Sequence, residues 1–286
     1  MKRNKSFQQT APLLYLVATP IGNLKEMSPR ALEVLQEMDL IAAEDTRNTY
    51  TLLSHFGIKK DLFSLREHNE NEASEHIINL LKQGKKVAYV SDAGYPGISD
   101  PGYLLVKNAI KNDINVSTIS GSSAFINALV ASGLPTNHFY FYGFLSKKGN
   151  DARRALNNIK SKEETIIFYE SPHQVEETIK LMYEVLGNRE AVIARELTKI
   201  NEEYIRGSLK ELTELDFSTV KGEIVIVVSG EPKTEMVLDD DKIIERLNYY
   251  LEKGVNKKTA IEIVVDELEV RKNRVYKLAE DIKKMD

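Results

Sequence analysis

Ser91 to Gly102 reads SDAGYPGISDPG, and this stretch with its two flanks decides the fold. Upstream, Lys86 to Val90 (KVAYV) is a short, apolar, β-branched run of the kind that forms a buried strand, and downstream Tyr103 to Asn112 has helical spacing. The order is strand, tight loop, helix. Gly94, Gly97 and Gly102, with Pro96 and Pro101, set a rigid backbone and remove Cβ atoms that would obstruct a ligand. In open α/β sheets ligands bind at the carboxyl ends of strands, where such loops lie. A plain pair of consecutive turns satisfies the same residues. Asp92 and Asp100 favour a site, because two carboxylates in a glycine loop suit hydroxyls, amines or a cation.

Working outward, Leu13 to Ala18 (LLYLVA) is another buried-strand run, broken by Thr19-Pro20-Ile21-Gly22-Asn23-Leu24. Ser28 then reads as an N-cap with Pro29 at the first helical position, opening a helix to about Met38 that buries Leu32, Val34 and Leu35. Leu40 to Ala43 is the next strand, ended by Glu44-Asp45-Thr46-Arg47 before a helix from Asn48 to Phe56. Those carboxylates are either caps or part of a site. Glu67-His68-Asn69-Glu70 precedes an amphipathic helix, Ala73 to Lys82. Asn115 to Ile119 is a strand closed by Ser120-Gly121-Ser122-Ser123-Ala124, where a helix N-terminus with small residues can hold an anion or polar group. The alternation predicts an α/β domain over 13–121 with a mostly parallel sheet.

The pattern changes after Gly133 to Asn137. Phe139–Phe144, Thr165–Glu170, Ala191–Arg195, Glu203–Gly207 and Glu223–Ser229 are closely spaced strand candidates, with helices at Asp151–Lys160 and Gln174–Leu186. They predict a mixed-sheet α+β domain over 122–230. Glu231 to Asp241 reads as an acidic linker. A helical module over 233–286 follows, with helices from Lys242, Val255 and Val270, the last two arranged like a helix-turn-helix. The final helix carries Arg271, Lys272, Arg274 and Lys277, but acidic residues nearly match the basic ones, so packing or dimerisation competes with nucleic-acid contact.

The totals narrow the classes. At 286 residues the chain has the length of about two domains. It is 42% hydrophobic and 29% charged with a net charge of -4, so a polyanion partner must be met by a local basic patch. The absence of cysteine excludes disulfides, thiolate nucleophiles and cysteine metal sites. No run approaches the ~20 apolar residues of a membrane span. Residues 1–12 read as a disordered tail, and Lys2, Arg3 and Lys5 lack the apolar core of a secretory signal. The expectation is a soluble, cytoplasmic protein.

No GxxxxGK[ST] loop, no HExxH and no metal-ligand set is present, and Thr19 to Gly22 lacks GxGxxG spacing. What remains are small-residue loops with carboxylates in both halves, suited to a ligand between domains. In order from about residue 13 to 230 stand Thr19 to Leu24, Glu44 to Arg47, Glu67 to Glu70, Ser91 to Gly102, Ser132-Gly133-Leu134-Pro135, Tyr169-Glu170-Ser171-Pro172-His173 and Arg195-Glu196-Leu197-Thr198-Lys199. On these seven motifs the chain resembles the tetrapyrrole methylase superfamily, and within it the ribosomal RNA branch of the small-subunit 2'-O-methyltransferase I type.

The resemblance implies a homodimer that holds S-adenosylmethionine between two domains and methylates the ribose 2'-hydroxyl of a cytidine in small-subunit (16S) ribosomal RNA, free or in the assembled subunit. Alignment supplies much of the acceleration in such a displacement, and a positioned base adds typically ~10²- to 10⁴-fold. Base candidates are Asp45, Glu70, Asp100, Glu170 and Lys199, with His68 next. Cofactor contacts are expected from Pro20, Ile21, Gly22, Asp92, Ala93, Gly94, Ser99, Ser122, Ala124, Tyr169 and Gly222. RNA contacts are expected from Arg47, His68, Lys147, Lys148, Arg153, Arg154 and Lys199, weakening steeply with salt; Lys147 to Arg154 otherwise read as a solvated loop. No metal is implied.

Three positions depart from the family pattern. Ser120-Gly121 stands where Pro-Gly is usual, Gln174 where an arginine commonly follows, and Tyr95 where a small residue is usual. Two alternatives share the sequence: a methyltransferase acting on a tetrapyrrole or other small molecule, and a non-catalytic ligand sensor that binds nucleic acid through the helical module.

Overall fold

The computed structural model describes residues 13–232, 239–268 and 270–282. The expected tail at 1–12 and the linker stretch 233–238 lie outside the described residues. By its contacts the chain divides into one compact unit reaching Glu231 and a second starting at Pro232.

The first unit begins with β1 (Leu13–Val17), α1 (Pro29–Glu37), β2 (Leu40–Ala43), α2 (Thr46–His55), β3 (Asp61–Ser64), α3 (Glu70–Lys82), β4 (Val87–Val90), α4 (Tyr103–Lys111), β5 (Asn115–Ile119) and α5 (Ala124–Ser132). The strands form one sheet in the order β3-β2-β4-β1-β5, with every neighbouring pair parallel. All loops following these strands therefore emerge along one edge. Leu14, Ala42 and Tyr89 pack on one face with α3 and α4, and Val17, Ile41, Ala43 and Val90 pack on the other with α1 and α2.

Local chemistry sets the helix starts. Ser28 caps α1 by accepting from Ala31 N at 3.2 Å, with Pro29 in the first turn. Within that helix Ala31 and Leu35 are fully buried, whereas Leu32 and Val34 are only partly so. Helix α2 starts at Thr46, two residues before the expected Asn48, because the Asp45 carboxylate accepts from Arg47 N at 2.9 Å. Helix α3 starts at Glu70 instead of Ala73. Asn69 Oδ1 accepts from Arg66 N at 2.7 Å and closes a 3-10 turn over Glu67–Asn69 that runs straight into the helix.

The second sheet comprises β6 (Phe139–Phe144), β7 (Thr165–Glu170), β8 (Glu190–Arg195), β9 (Glu203–Ser208) and β10 (Ile224–Val228), in the order β6-β7-β10-β8-β9. The sheet is mixed: β6 and β7 are parallel, and the other pairs antiparallel. Its helices are α6 (Gly149–Ile159), α7 (Val175–Leu186) and the single turn α8 (Leu209–Leu212). Alternation assigns the faces. Ile166, Phe168, Ile193 and Ile226 join the core shared with α6 and α7, whereas Ile167, Val192, Val225 and Val227 join a second core with Ala128 and Leu129 of α5. Ile21, from the loop after β1, is buried in that same second core.

The second unit holds α9 (Asp240–Glu252), α10 (Lys257–Leu268) and α11 (Lys272–Ile282), closed around Ile243, Leu247, Ile261, Val264 and Val275. Helix α9 begins two residues earlier than expected, with Asp240 and Asp241 in a first turn where the helix dipole favours acids. Two of the four basic residues noted in sequence serve this unit internally: Arg274 pairs with Asp240 at 2.6 Å and Lys272 with Glu262 at 3.6 Å. Among the described residues no helix is long and apolar enough to cross a membrane.

Candidate active site

Adjacent parallel strands bring their following loops together, and β1 and β4 are neighbours. The loops are joined by a two-way backbone bridge: Thr19 N donates to Gly94 O at 2.9 Å and Gly94 N donates to Thr19 O at 3.0 Å. Gly94 takes φ of +73°, so the chain turns where a side chain would be strained. The loop after β5 joins them, since Gly121 N donates to the Tyr95 hydroxyl at 3.2 Å. A Cβ at Gly121 would meet Ala18 at 2.9 Å. This hydrogen bond and this packing hold the loop where the usual proline is replaced by Ser120.

These loops face the ends of β7, β8 and β10 across a cavity of about 480 Å³. Ile21, Ile98, Phe125, Leu197 and Val225 supply apolar wall, and four carboxylates, Asp100, Glu170, Glu196 and Glu223, line the cavity together with Lys199. Burial pushes the Asp100 carboxyl up to about 7, helped by the charges of Glu44 and Asp92 and opposed by Ser91. Glu44 is itself raised, mainly by burial. Across the cavity, burial pushes the Tyr169 phenol up to about 12.

Lys199 donates to Glu196 Oε1 at 2.9 Å and to Glu223 Oε2 at 3.1 Å. These partners raise its pKa and lower that of Glu196. Lys199 is therefore a fixed cation and a poor proton acceptor. Its backbone neighbourhood is strained: Glu196 has φ of +51° and Thr198, a β-branched residue, +68°, while Ser99 on the opposite wall has +63°. Each such residue costs roughly 1–3 kcal/mol and persists where surrounding structure imposes it, commonly at functional sites. Among the described residues Thr198 Oγ1 is buried without a hydrogen-bond partner.

Of the expected cofactor contacts, Ile21, Ala93, Gly94, Ser99, Ala124, Tyr169 and Gly222 line the cavity. Pro20, Gly22, Asp92 and Ser122 are not among the lining residues. Asp92 instead joins the ends of β2 and β4, accepting from Asp45 N at 3.2 Å and Asn48 Nδ2 at 2.8 Å. Ser122 Oγ donates to Glu26 Oε2 at 2.6 Å. Gly22 packs beneath Lys199, where a Cβ would fall 2.5 Å from Lys199 Cγ.

The base candidates separate in the same way. Asp100, Glu170 and Lys199 line the cavity, and Asp45 and Glu70 do not. Asp45 caps α2 and is clamped by Arg47 at 2.5 Å, which holds its carboxyl far below the usual range. Glu70 is buried and accepts from Gly102 N and Leu104 N, each at 2.9 Å, so it fixes the start of α4. Glu170 accepts from Ser171 N at 2.7 Å and Thr178 Oγ1 at 2.6 Å.

The expected RNA contacts, Lys199 apart, lie outside this cavity. His68, Lys147 and Lys148 are exposed. Arg153 pairs with Glu184 at 2.6 Å and Arg154 with Asp151 at 3.1 Å. Sequence reading missed Ile98, Phe125, Phe144, Glu196, Leu197 and Glu223 as wall residues. Glu196 and Leu197 stood inside a quoted motif. Ile98 stood inside the Ser91 to Gly102 loop; Phe125, Phe144 and Glu223 lie outside the seven motifs, and only the packing of the two sheets turns them inward.

A family model described as Tetrapyrrole (Corrin/Porphyrin) Methylases matches residues 13–213. A protein named ribosomal RNA small subunit methyltransferase I from Halalkalibacterium halodurans is 44% identical, covering 97% of this chain and 99% of that one. Its namesake in Bacillus subtilis is 40% identical over 96% and 97% of the two chains. Among solved structures, diphthine synthase superposes with a TM-score of 0.59 at 18% identity, over 76% of this chain and 89% of that chain. The uroporphyrin-III-C-methyltransferase of Thermus thermophilus superposes with a TM-score of 0.54 at 17% identity, over 76% and 94%. Those two likenesses are of fold. The cavity between the sheets is thus the candidate active site of a chain that belongs to the tetrapyrrole methylase family, in the branch that contains ribosomal RNA small subunit methyltransferase I.

Proposed function

We propose that this protein is a methyltransferase that uses S-adenosylmethionine to methylate the ribose 2'-hydroxyl of a cytidine in small-subunit ribosomal RNA, working as a homodimer in the cytoplasm. The near full-length relationship to proteins named for small-subunit ribosomal RNA supports the substrate class. The donor set fits the cofactor. A cavity of about 480 Å³ is in the size range of such ligands, its apolar walls suit a purine, and its carboxylates outnumber the single lysine, which suits a cation. Ile21, Ala93, Gly94, Ala124 and Val225 would hold it, with Asp100 and Tyr169 on opposite sides. When bound, S-adenosylmethionine supplies an activated methyl group.

The observation that carries the reading is Asp100. A ribose hydroxyl is a weak nucleophile at neutral pH, and the efficient base for it has a pKa near the working pH. Asp100, at about 7, is such a group. Its carboxylate takes the hydroxyl proton as the oxygen attacks. The Glu196–Lys199–Glu223 cluster keeps the facing loop fixed, and apolar walls exclude water. Homodimer formation is supported by apolar side chains left in solvent on α5 and at the start of β6: Ile126, Val130 at 70% exposed, and Phe139.

The test is tritium transfer from labelled S-adenosylmethionine to small ribosomal subunits from cells lacking this protein, followed by digestion to nucleosides. Label in 2'-O-methylcytidine is the expected result. Intact cofactor binding with no transfer to RNA would move the acceptor to a small molecule.

A further inference from the structure

A second cavity, of about 460 Å³, opens between β6 and α6. Tyr140, Tyr142 and Ser146 form one wall. Asp151, Arg154 and Asn158 form the other, spaced to lie on one row of the helix. Strand alternation puts the two tyrosines on the same face. Tyr142 is anchored on core Phe168 at 5.4 Å between ring centroids, whereas Tyr140 stays 37% exposed with Lys162 Nζ 4.4 Å from its ring centre. The active-site cavity uses none of these side chains.

Charge around the groove runs against the rest of the chain. From Lys147 to Lys162 the sequence has six basic side chains and one carboxylate, Asp151, in a protein of net charge -4. Arg154 is held by Asp151 only in an exposed pair at 3.1 Å, which exchanges cheaply for another anion. An accessible ring edged by cations and an amide suits an unpaired nucleotide, whose base stacks while its phosphates meet the cations. A second copy of this chain would set these cations against their own copies.

We infer that this groove docks an unpaired nucleotide of the RNA substrate, with a base stacked on Tyr140 and the neighbouring phosphates held by Lys147, Lys148 and Arg154. The inference rests on the ribosomal RNA reading above and gives that substrate a contact outside the active-site cavity.

The test uses the full chain, a single-stranded oligocytidylate as probe in fluorescence anisotropy, and methyl transfer to small subunits. Y140L is expected to weaken oligonucleotide binding by about 5- to 150-fold, the range for loss of one stacked base. Y140F keeps the ring and should stay within about two-fold of the parent. The double variant K147A/K148A should flatten the salt dependence of log Kd by about 1.4, the single-strand value for two phosphates. S-adenosylmethionine affinity by calorimetry should be unchanged in all three, and in Y140L and K147A/K148A the KM for subunits should rise with kcat retained. Parent-like oligonucleotide affinity in a folded Y140L would overturn the inference. So would dissociation of an oligomer by Y140L without any change in RNA affinity, which would make the groove an interface between copies. If Y140L matches a parent that methylates subunits, the groove fails and the function stands. If the parent transfers nothing to RNA but needs Tyr140 to bind oligocytidylate, the function fails and the groove stands.

Discussion

Gly22 and Lys199 meet across the cleft although they lie in loops that follow strands of different sheets: a Cβ on Gly22 would fall 2.5 Å from Lys199 Cγ and 2.8 Å from Cε. Gly22 also holds φ of +150°, which side chains rarely adopt. The missing side chain is thus what lets the stem of Lys199 lie on the loop after β1 while its ammonium reaches Glu196 and Glu223. G22A is expected to lose about 1–3 kcal/mol of stability in urea titration and to lower kcat by displacing the lysine. Unchanged kcat in a folded G22A would remove Lys199 from the reaction.

Asp100 ties activity to pH. Its carboxylate is the proton-accepting form, so kcat should rise with pH through about 7 and then level. D100N should lower kcat by about 10²- to 10⁴-fold and abolish that rise. Stability runs the other way. The folded value lies above the ordinary 3.8, so between these values the folded state binds more protons than the unfolded chain, and stability falls as pH rises from about 4 through about 7. D100N removes that loss. Its Tm should exceed the parent's at about pH 8 and match it near pH 4, measured by calorimetry.

Glu70 should behave as a cap. Both of its bonds, to Gly102 N and Leu104 N, use Oε1, and a glutamine keeps that acceptor. E70Q is expected to retain kcat within several-fold, whereas E70A should lose about 1–2 kcal/mol of stability and disturb the Asp100 loop. A loss in E70Q as deep as in D100N would return Glu70 to the candidate bases.

Arg189 is nearly inaccessible at 3% and donates to Leu186 O at 3.1 Å and Lys160 O at 2.5 Å, besides pairing with Glu231. It staples the ends of α6 and α7 to the chain leaving β10. R189M should cost about 3 kcal/mol in urea denaturation, since each orphaned buried acceptor costs roughly 1–3 kcal/mol. R189K keeps charge but not the planar fork, and should recover only part of that loss.

What the amino-acid sequence determined by itself is whatever rests on short-range chemistry. The Ser28–Pro29 cap, the apolar runs of β1, β4 and β10, and the glycine turns of Ser91 to Gly102 need only their neighbours in the chain, and each lies where its residue pattern puts it. Seven ordered motifs also sufficed to recognise the family. Helix starts at Thr46 and Glu70 were legible less well, because Asp45 and Asn69 act there through side-chain bonds that periodicity does not register.

Only the tertiary structure decided which carboxylates share a cavity. Asp92 and Asp100 stand eight residues apart in one loop, yet Asp92 is spent joining β2 to β4 while Asp100, half-buried, lines the cavity with residues of the second sheet. Composition cannot separate them. A carboxyl's pKa is set by how much water and charge surround it, and that depends on strand order and on the approach of two sheets. The same reason hid Phe144 and Glu223 from the wall, Arg189 from the core and Tyr140 from its groove: each acquires its role from residues far away in the chain.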